Sequence, residues 1–104
     1  MRLPHTALAI AAAAALLPAF AQTQDALYLK SLAATCANCH GTNGRAVTGS
    51  SVVSLGGMSQ NDMATQLRAF KAGTRPATVM HQIAKGYSES QIDQLAAYFA
   101  AQTK

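Results

Sequence analysis

Cys36-Ala37-Asn38-Cys39-His40 is the stretch of this chain best equipped for chemistry. Two thiols three positions apart share one face of a helical turn, so both can meet one object. The histidine stands one step further round and reaches over the same object. C-x-x-C-H is the pattern by which haem is attached covalently. The thiols of Cys36 and Cys39 add to the two vinyl groups, and His40 Nε2 ligates the iron. A low-spin haem takes a second axial ligand, usually methionine or histidine. The chain offers Met58, Met63, Met80 and His81. Met63 falls on the inner stripe of a helical segment, where methionine more often packs. Met58 just precedes a helix cap. Met80 follows a proline-containing loop, and the stretch around it can fold over the far side of a ring. His81 is its neighbour, and adjacent helical residues point about 100° apart, so only one of the two can face an iron. On the residues alone, Met80 and His81 stand nearly even.

These residues need elements to position them. A helical segment is expected to open at Thr23 or Gln24, with Asp25 in its first turn, where a negative charge suits the helix dipole. Leu29, Leu32, Ala33 and Cys36 follow at helical spacing and form one apolar stripe that runs into the pentad. Residues 41–57 read as a loop rich in glycine, serine and threonine. Its apolar exceptions, Val52, Val53 and Leu55, fill a core or line the proximal side of a macrocycle. Ser59 caps a second helix with Asp62 three on, a near capping box. Met63, Leu67 and Phe70 are its inner stripe, Arg68 and Lys71 read as a solvated face, and Gly73 ends it at C′. The chain turns through Pro76, makes a short helical turn over 78–84, and stops at Gly86. Ser88 and Gln91 form a capping box for a last helix, whose inner stripe is Ile92, Leu95, Ala96 and Phe99. No segment alternates as a strand does. The fold class is all-α, three to four short helices around one cofactor.

The N-terminus bears on compartment. Met1-Arg2-Leu3-Pro4-His5 carries one positive charge, Thr6 to Leu17 is almost wholly Ala, Leu and Ile, and Ala19-Phe20-Ala21 follows Pro18. That is a secretory signal peptide over residues 1–21, cleaved after Ala21. The apolar run is short of the ~20 residues a retained membrane span needs. Residues 22–104 then form one domain in the periplasm. Seven Lys/Arg stand there against four Asp/Glu, a balance of +3. There is no basic run, so nucleic-acid binding has no support. A domain this small buries a limited share of its surface and often needs a disulfide, metal or cofactor. In an oxidising compartment two cysteines can pair instead, which gives a rival reading as a thiol–disulfide protein. That reading lacks the βαβ pattern of a thioredoxin-like site and leaves His40 without a role.

The residues also carry a resemblance. Across residues 22–104 the chain resembles the class I c-type cytochromes. The matching features are the helix leading into Cys36-Ala37-Asn38-Cys39-His40-Gly41-Thr42, the Phe70-Lys71-Ala72-Gly73 helix end, the Met80 segment and Leu95-Ala96-Ala97-Tyr98-Phe99. Within that class it is similar to the cytochrome subunits of flavocytochrome c sulfide dehydrogenases, most of all over Thr78 to Ser88. The resemblance implies one covalent haem c on Cys36 and Cys39, with His40 and Met80 as axial iron ligands. It implies electron transfer without catalysis of its own, and a sulfide-oxidising flavoprotein as redox partner. A free-standing shuttle to a terminal oxidase or reductase is the alternative. A ligand-binding haem sensor or small peroxidase needs an open sixth position, against which Met80 stands. Family members often carry a proline in the loop after the motif, whose carbonyl accepts the histidine Nδ1–H. This loop has none, and Val53 stands at that place with a backbone carbonyl that can serve.

Overall fold

Helices form where the caps and apolar periodicity place them, with two differences. The computed structural model describes the backbone of residues 17–104 and the side chains from residue 24. Most of the signal peptide read over residues 1–21 lies outside the described residues. Helix α1 spans Leu17–Ala34, α2 Ala37–His40, a 3-10 turn Thr42–Gly44, α3 Gln60–Ala72, α4 Met80–Lys85 and α5 Glu89–Ala100. Among the described residues there are no strands, as expected for the all-α class.

The first difference is the start of α1. It runs from Leu17, not from Thr23 or Gln24, so Asp25 is not in its first turn. Pro18 stands second, where a missing N–H is tolerated. Nothing in Ala19-Phe20-Ala21-Gln22 stops a helix. The second difference is a break at Thr35–Cys36, which splits the expected first helical segment into α1 and α2. Thr35 directs both its amide (3.2 Å) and its Oγ1 (2.7 Å) onto the Leu32 carbonyl. That i→i−3 pattern tightens the last turn and closes α1.

The expected caps are present. Ser59 accepts from the Asp62 amide at 3.1 Å, and Gly73 ends α3 in the left-handed region at φ 75°. Ser88 and Gln91 make both bonds of the capping box. The core then assembles from the inner stripes. Met63, Ala64 and Leu67 of α3 meet Ile92, Leu95, Ala96 and Phe99 of α5, with Ala33 of α1 and Leu55 of the loop. Phe99, Ile92 and Leu95 are the largest fully buried side chains, each stabilising by roughly 1.5–3 kcal/mol. Gly44, at φ 75°, lets the loop lie on α5. A Cβ there would meet Phe99 Cδ1 and the Gly56 nitrogen at 2.8 Å. Its carbonyl accepts from the amides of Leu55 (2.7 Å) and Gly56 (3.0 Å), tying the loop ends together.

Arg68 and Lys71 lie on a partly exposed face, their side chains 42% and 32% exposed, and are paired there with carboxylates of α5. Arg68 bridges from α3 to α5, with Nε 2.8 Å from Glu89 Oε2 and Nη2 2.6 Å from Asp93 Oδ1. Lys71 lies 3.4 Å from Glu89 Oε1 and donates to the Tyr87 carbonyl. Periodicity shows which face of a helix is polar, but not that another helix brings carboxylates to it. Hydrogen bonding from Arg68, and then from Lys71, holds the Glu89 carboxyl below its ordinary value of 4.5. A carboxyl depressed in the folded state stabilises the fold above the unfolded pKa, and that contribution goes as pH falls through the folded value. Glu89→Gln therefore melts below wild type at pH 7, and the gap closes as the pH drops below about 4.5. Melting curves from pH 7 to pH 3 check this; a gap constant with pH would refute it.

Candidate functional site

The pentad builds its own turn. Cys36 is helical in backbone (φ −78°, ψ −20°) and caps α2, its carbonyl accepting from the amides of Cys39 (3.3 Å) and His40 (2.9 Å). Gly41, at φ 82°, closes α2 through its amide on the Ala37 carbonyl. A Cβ at Gly41 would fall on the Arg45 carbonyl, so only glycine fits after the histidine. Cys36 and Cys39 form no disulfide with each other; Cys36 is half-buried and Cys39 exposed. Burial pushes the Cys36 thiol up, and hydrogen bonds from Thr35 and Tyr87 oppose that in part.

Both cysteines and His40 line one cavity of about 330 Å³. Its walls are mainly apolar and come from α2, the loop, α3, α4 and α5. Val52, Val53 and Leu55 all border it, so the loop's apolar residues do line a cavity; Val53 is 57% exposed. His40 is buried, and its Nδ1 lies 2.7 Å from the Val53 carbonyl oxygen. A carbonyl can only accept, so Nδ1 donates to it, which leaves Nε2 as the ring nitrogen able to ligate a metal. That bond also fixes the ring, as the outer-shell partner of a metal-bound histidine does. The place where relatives often carry proline thus supplies the acceptor from valine.

Met80 is the first residue of α4 and lines the same cavity. Met58, half-buried, borders it too. Met63 also borders it but is 4% exposed within the core, in keeping with packing. His81 is not a lining residue. Its Nδ1 is buried and has no hydrogen-bond partner among the described residues. Gln66, Thr78 and Tyr87 border the cavity as well. Gln66 was legible in principle, since Met63, Gln66 and Phe70 share one helix face, but a stripe chosen by apolar type passes over it.

The donor set fits a covalent haem: two thiols for thioether bonds, an imidazole with Nε2 free, a thioether, and an apolar space for a macrocycle. Among the described residues no helix is long and apolar enough to cross a membrane.

Comparison with known proteins bears on the same residues. The cytochrome c family model matches residues 27–102. Over 73 residues the chain is 41% identical to the cytochrome subunit of sulfide dehydrogenase of Chlorobaculum tepidum, covering 70% of this chain and 64% of that protein. It is 37% identical over 68 residues to the thiosulfate dehydrogenase electron acceptor of Thiomonas intermedia, covering 65% and 31%. The corresponding protein of Stutzerimonas stutzeri is 38% identical over 68 residues, covering 62% and 31%. The chain therefore spans less than two thirds of the length of these curated relatives. The family match takes in the pentad, the cavity and four of the five helices whole. The chain belongs to the cytochrome c family, with the all-α fold of its class I members and a covalently attached haem c.

Proposed function

We propose that this chain is an exported single-haem electron carrier whose iron is held between His40 and Met80. The observation that carries the reading is His40 itself: buried, locked by the Val53 carbonyl with Nε2 free, on a cavity that Met80 also borders. Haem c supplies a one-electron couple between Fe(III) and Fe(II). The chain's own residues hold that couple in place. Cys36 and Cys39 would tether the haem, and the Val53 carbonyl would raise the basicity of His40. A thioether from Met80 would favour Fe(II), as would the apolar lining of Leu67 and Leu95, and both would raise the potential. Ligation by both His40 and Met80 would leave no site on the iron for a substrate, which argues against the sensor and peroxidase readings.

The electron donor is a sulfide-oxidising flavoprotein on this reading, supported by the similarity to a sulfide dehydrogenase subunit. Export through residues 1–21 places the carrier in the periplasm. A second reading is a free-standing shuttle serving another sulfur-compound dehydrogenase, favoured by the two relatives named as thiosulfate dehydrogenase electron acceptors. Mixing the oxidised, exported protein with a sulfide-oxidising flavoprotein and sulfide separates them. Reduction within the mixing experiment, with FAD co-purifying on the cytochrome, supports the subunit. A monomer that binds no flavoprotein and stays oxidised rules the subunit out.

A further inference from the structure

Beyond the thiols and axial groups, one charged side chain at the cavity has no assigned work. Among the described residues, Arg75 is the only Lys or Arg that lines the cavity, and no Asp or Glu lines it. Its position is built. Gly73 turns the chain out of α3, and the amides of Thr74 and Arg75 both return to the Ala69 carbonyl, at 3.0 and 3.3 Å. The guanidinium lies 4.8 Å from the centre of the Phe70 ring, and Nη1 donates to Gln66 Oε1 at 2.6 Å. Phe70 and Gln66 are themselves cavity residues. A guanidinium has five N–H donors and no acceptor, and this contact uses one. Accepting from Arg75 through Oε1 also leaves the two N–H donors of the Gln66 amide without a partner among the described residues. Arg68 and Lys71 are matched to carboxylates on α5, whereas Arg75 has no carboxylate partner among the described residues.

The cavity is thus apolar with one exposed cation at its rim. Haem is built the same way, an apolar macrocycle ending in two carboxylates. We infer that Arg75, with the Gln66 amide beside it, binds a haem propionate carboxylate, Phe70 holding the guanidinium in place. Arginine suits the task because its planar fork meets a carboxylate with two parallel N–H donors. The pairing offsets negative charge that would otherwise favour Fe(III), so Arg75 is a positioning and tuning residue and not a catalytic one. The inference rests on the haem reading above.

The test is the reduction potential of the exported haem protein, measured in Arg75→Gln, Arg75→Lys and Arg45→Gln beside wild type, with a melting curve for each. Arg45 has its guanidinium on Thr103 Oγ1, outside the cavity lining, and controls for a general loss of charge. Arg75→Gln is expected to shift the potential down by more than Arg45→Gln does, and Arg75→Lys to restore most of the difference. Equal potentials in Arg75→Gln and wild type, with a lower melting temperature alone, would mean that Arg75 only packs on Phe70 and would overturn the inference. A wild-type protein without haem would overturn the underlying reading instead, and shows at once as the absence of colour.

Discussion

Replacing Cys36 and Cys39 together by serine is expected to leave a protein that shows no haem stain on a denaturing gel and has lost its cooperative melt. The first half is chemistry. A thioether survives denaturation and an axial bond does not, so the stain reports the two sulfurs and nothing else. The second half follows from how little core the chain owns. Of the ten buried apolar residues among those described, four are alanine: Ala33, Ala64, Ala84 and Ala96. Beside that core lies the cavity of about 330 Å³. Its walls are mainly apolar, so an apolar body that covers them would stabilise the fold, and the macrocycle would complete the core. Single variants separate the sulfurs: either one alone is expected to keep stained haem on the remaining thioether. Stained haem in the double variant would refute the attachment. A colourless wild type with two thiols titrating after reduction would restore the thiol–disulfide reading.

What the sequence made legible, and what it did not, divides along a physical line. Features that act within three or four residues were readable: the Ser59 and Ser88 caps, the left-handed Gly73, the inner stripes of α3 and α5. Each depends on residue type at a fixed short offset. Features that need a distant partner were not. The ion pairing of Arg68 is one, since Glu89 and Asp93 lie 21 and 25 positions away. Tyr87 comes within 3.4 Å of Thr35 across 52 positions, which no local pattern announces. The break at Thr35–Cys36 is local, yet it was hidden by an apolar stripe that continues through it. The acceptor for His40 is a different case. Every residue carries a carbonyl, so residue type cannot mark the one that matters, and Val53 could be named only by its place in a resemblance. The site was readable for the same reason as the caps: Cys36, Cys39 and His40 act within one turn. The far ligand carries no such local mark: on residue type Met80 and His81 are even, the resemblance implies Met80, and Met80 borders the cavity.

That choice makes the second large prediction. Met80→Ala is expected to remove the weak methionine–iron band at the red end of the ferric spectrum, to let carbon monoxide bind the reduced protein, and to lower the potential. Axial ligands move haem potentials across roughly 0.8 V, so losing a thioether that favours Fe(II) outweighs any surface charge change. Three observations favour Met80 over Met63 and His81. It borders the cavity at the first position of α4; Met63 is consumed by the core at 4% exposure; and His81 lies outside the lining with its Nδ1 buried. Alanine also removes packing, because Met80 touches the core as a partly buried neighbour, and a buried methionine cut to alanine costs about 2–5 kcal/mol. Met80→Leu controls for that. It keeps the volume to within a tolerated swap and deletes only the sulfur, so it should melt near wild type and still lose the band. Met58 is the remaining competitor on the cavity wall. If Met80→Leu keeps the band and Met58→Leu loses it, the thioether comes from the loop side and the assignment moves to Met58. If Met80→Ala gives instead a low-spin spectrum without the band and without carbon monoxide binding, a second imidazole has taken the position. His81, one residue along the same short helix, is then the group to replace next: Met80→Ala with His81→Ala should turn that spectrum high-spin.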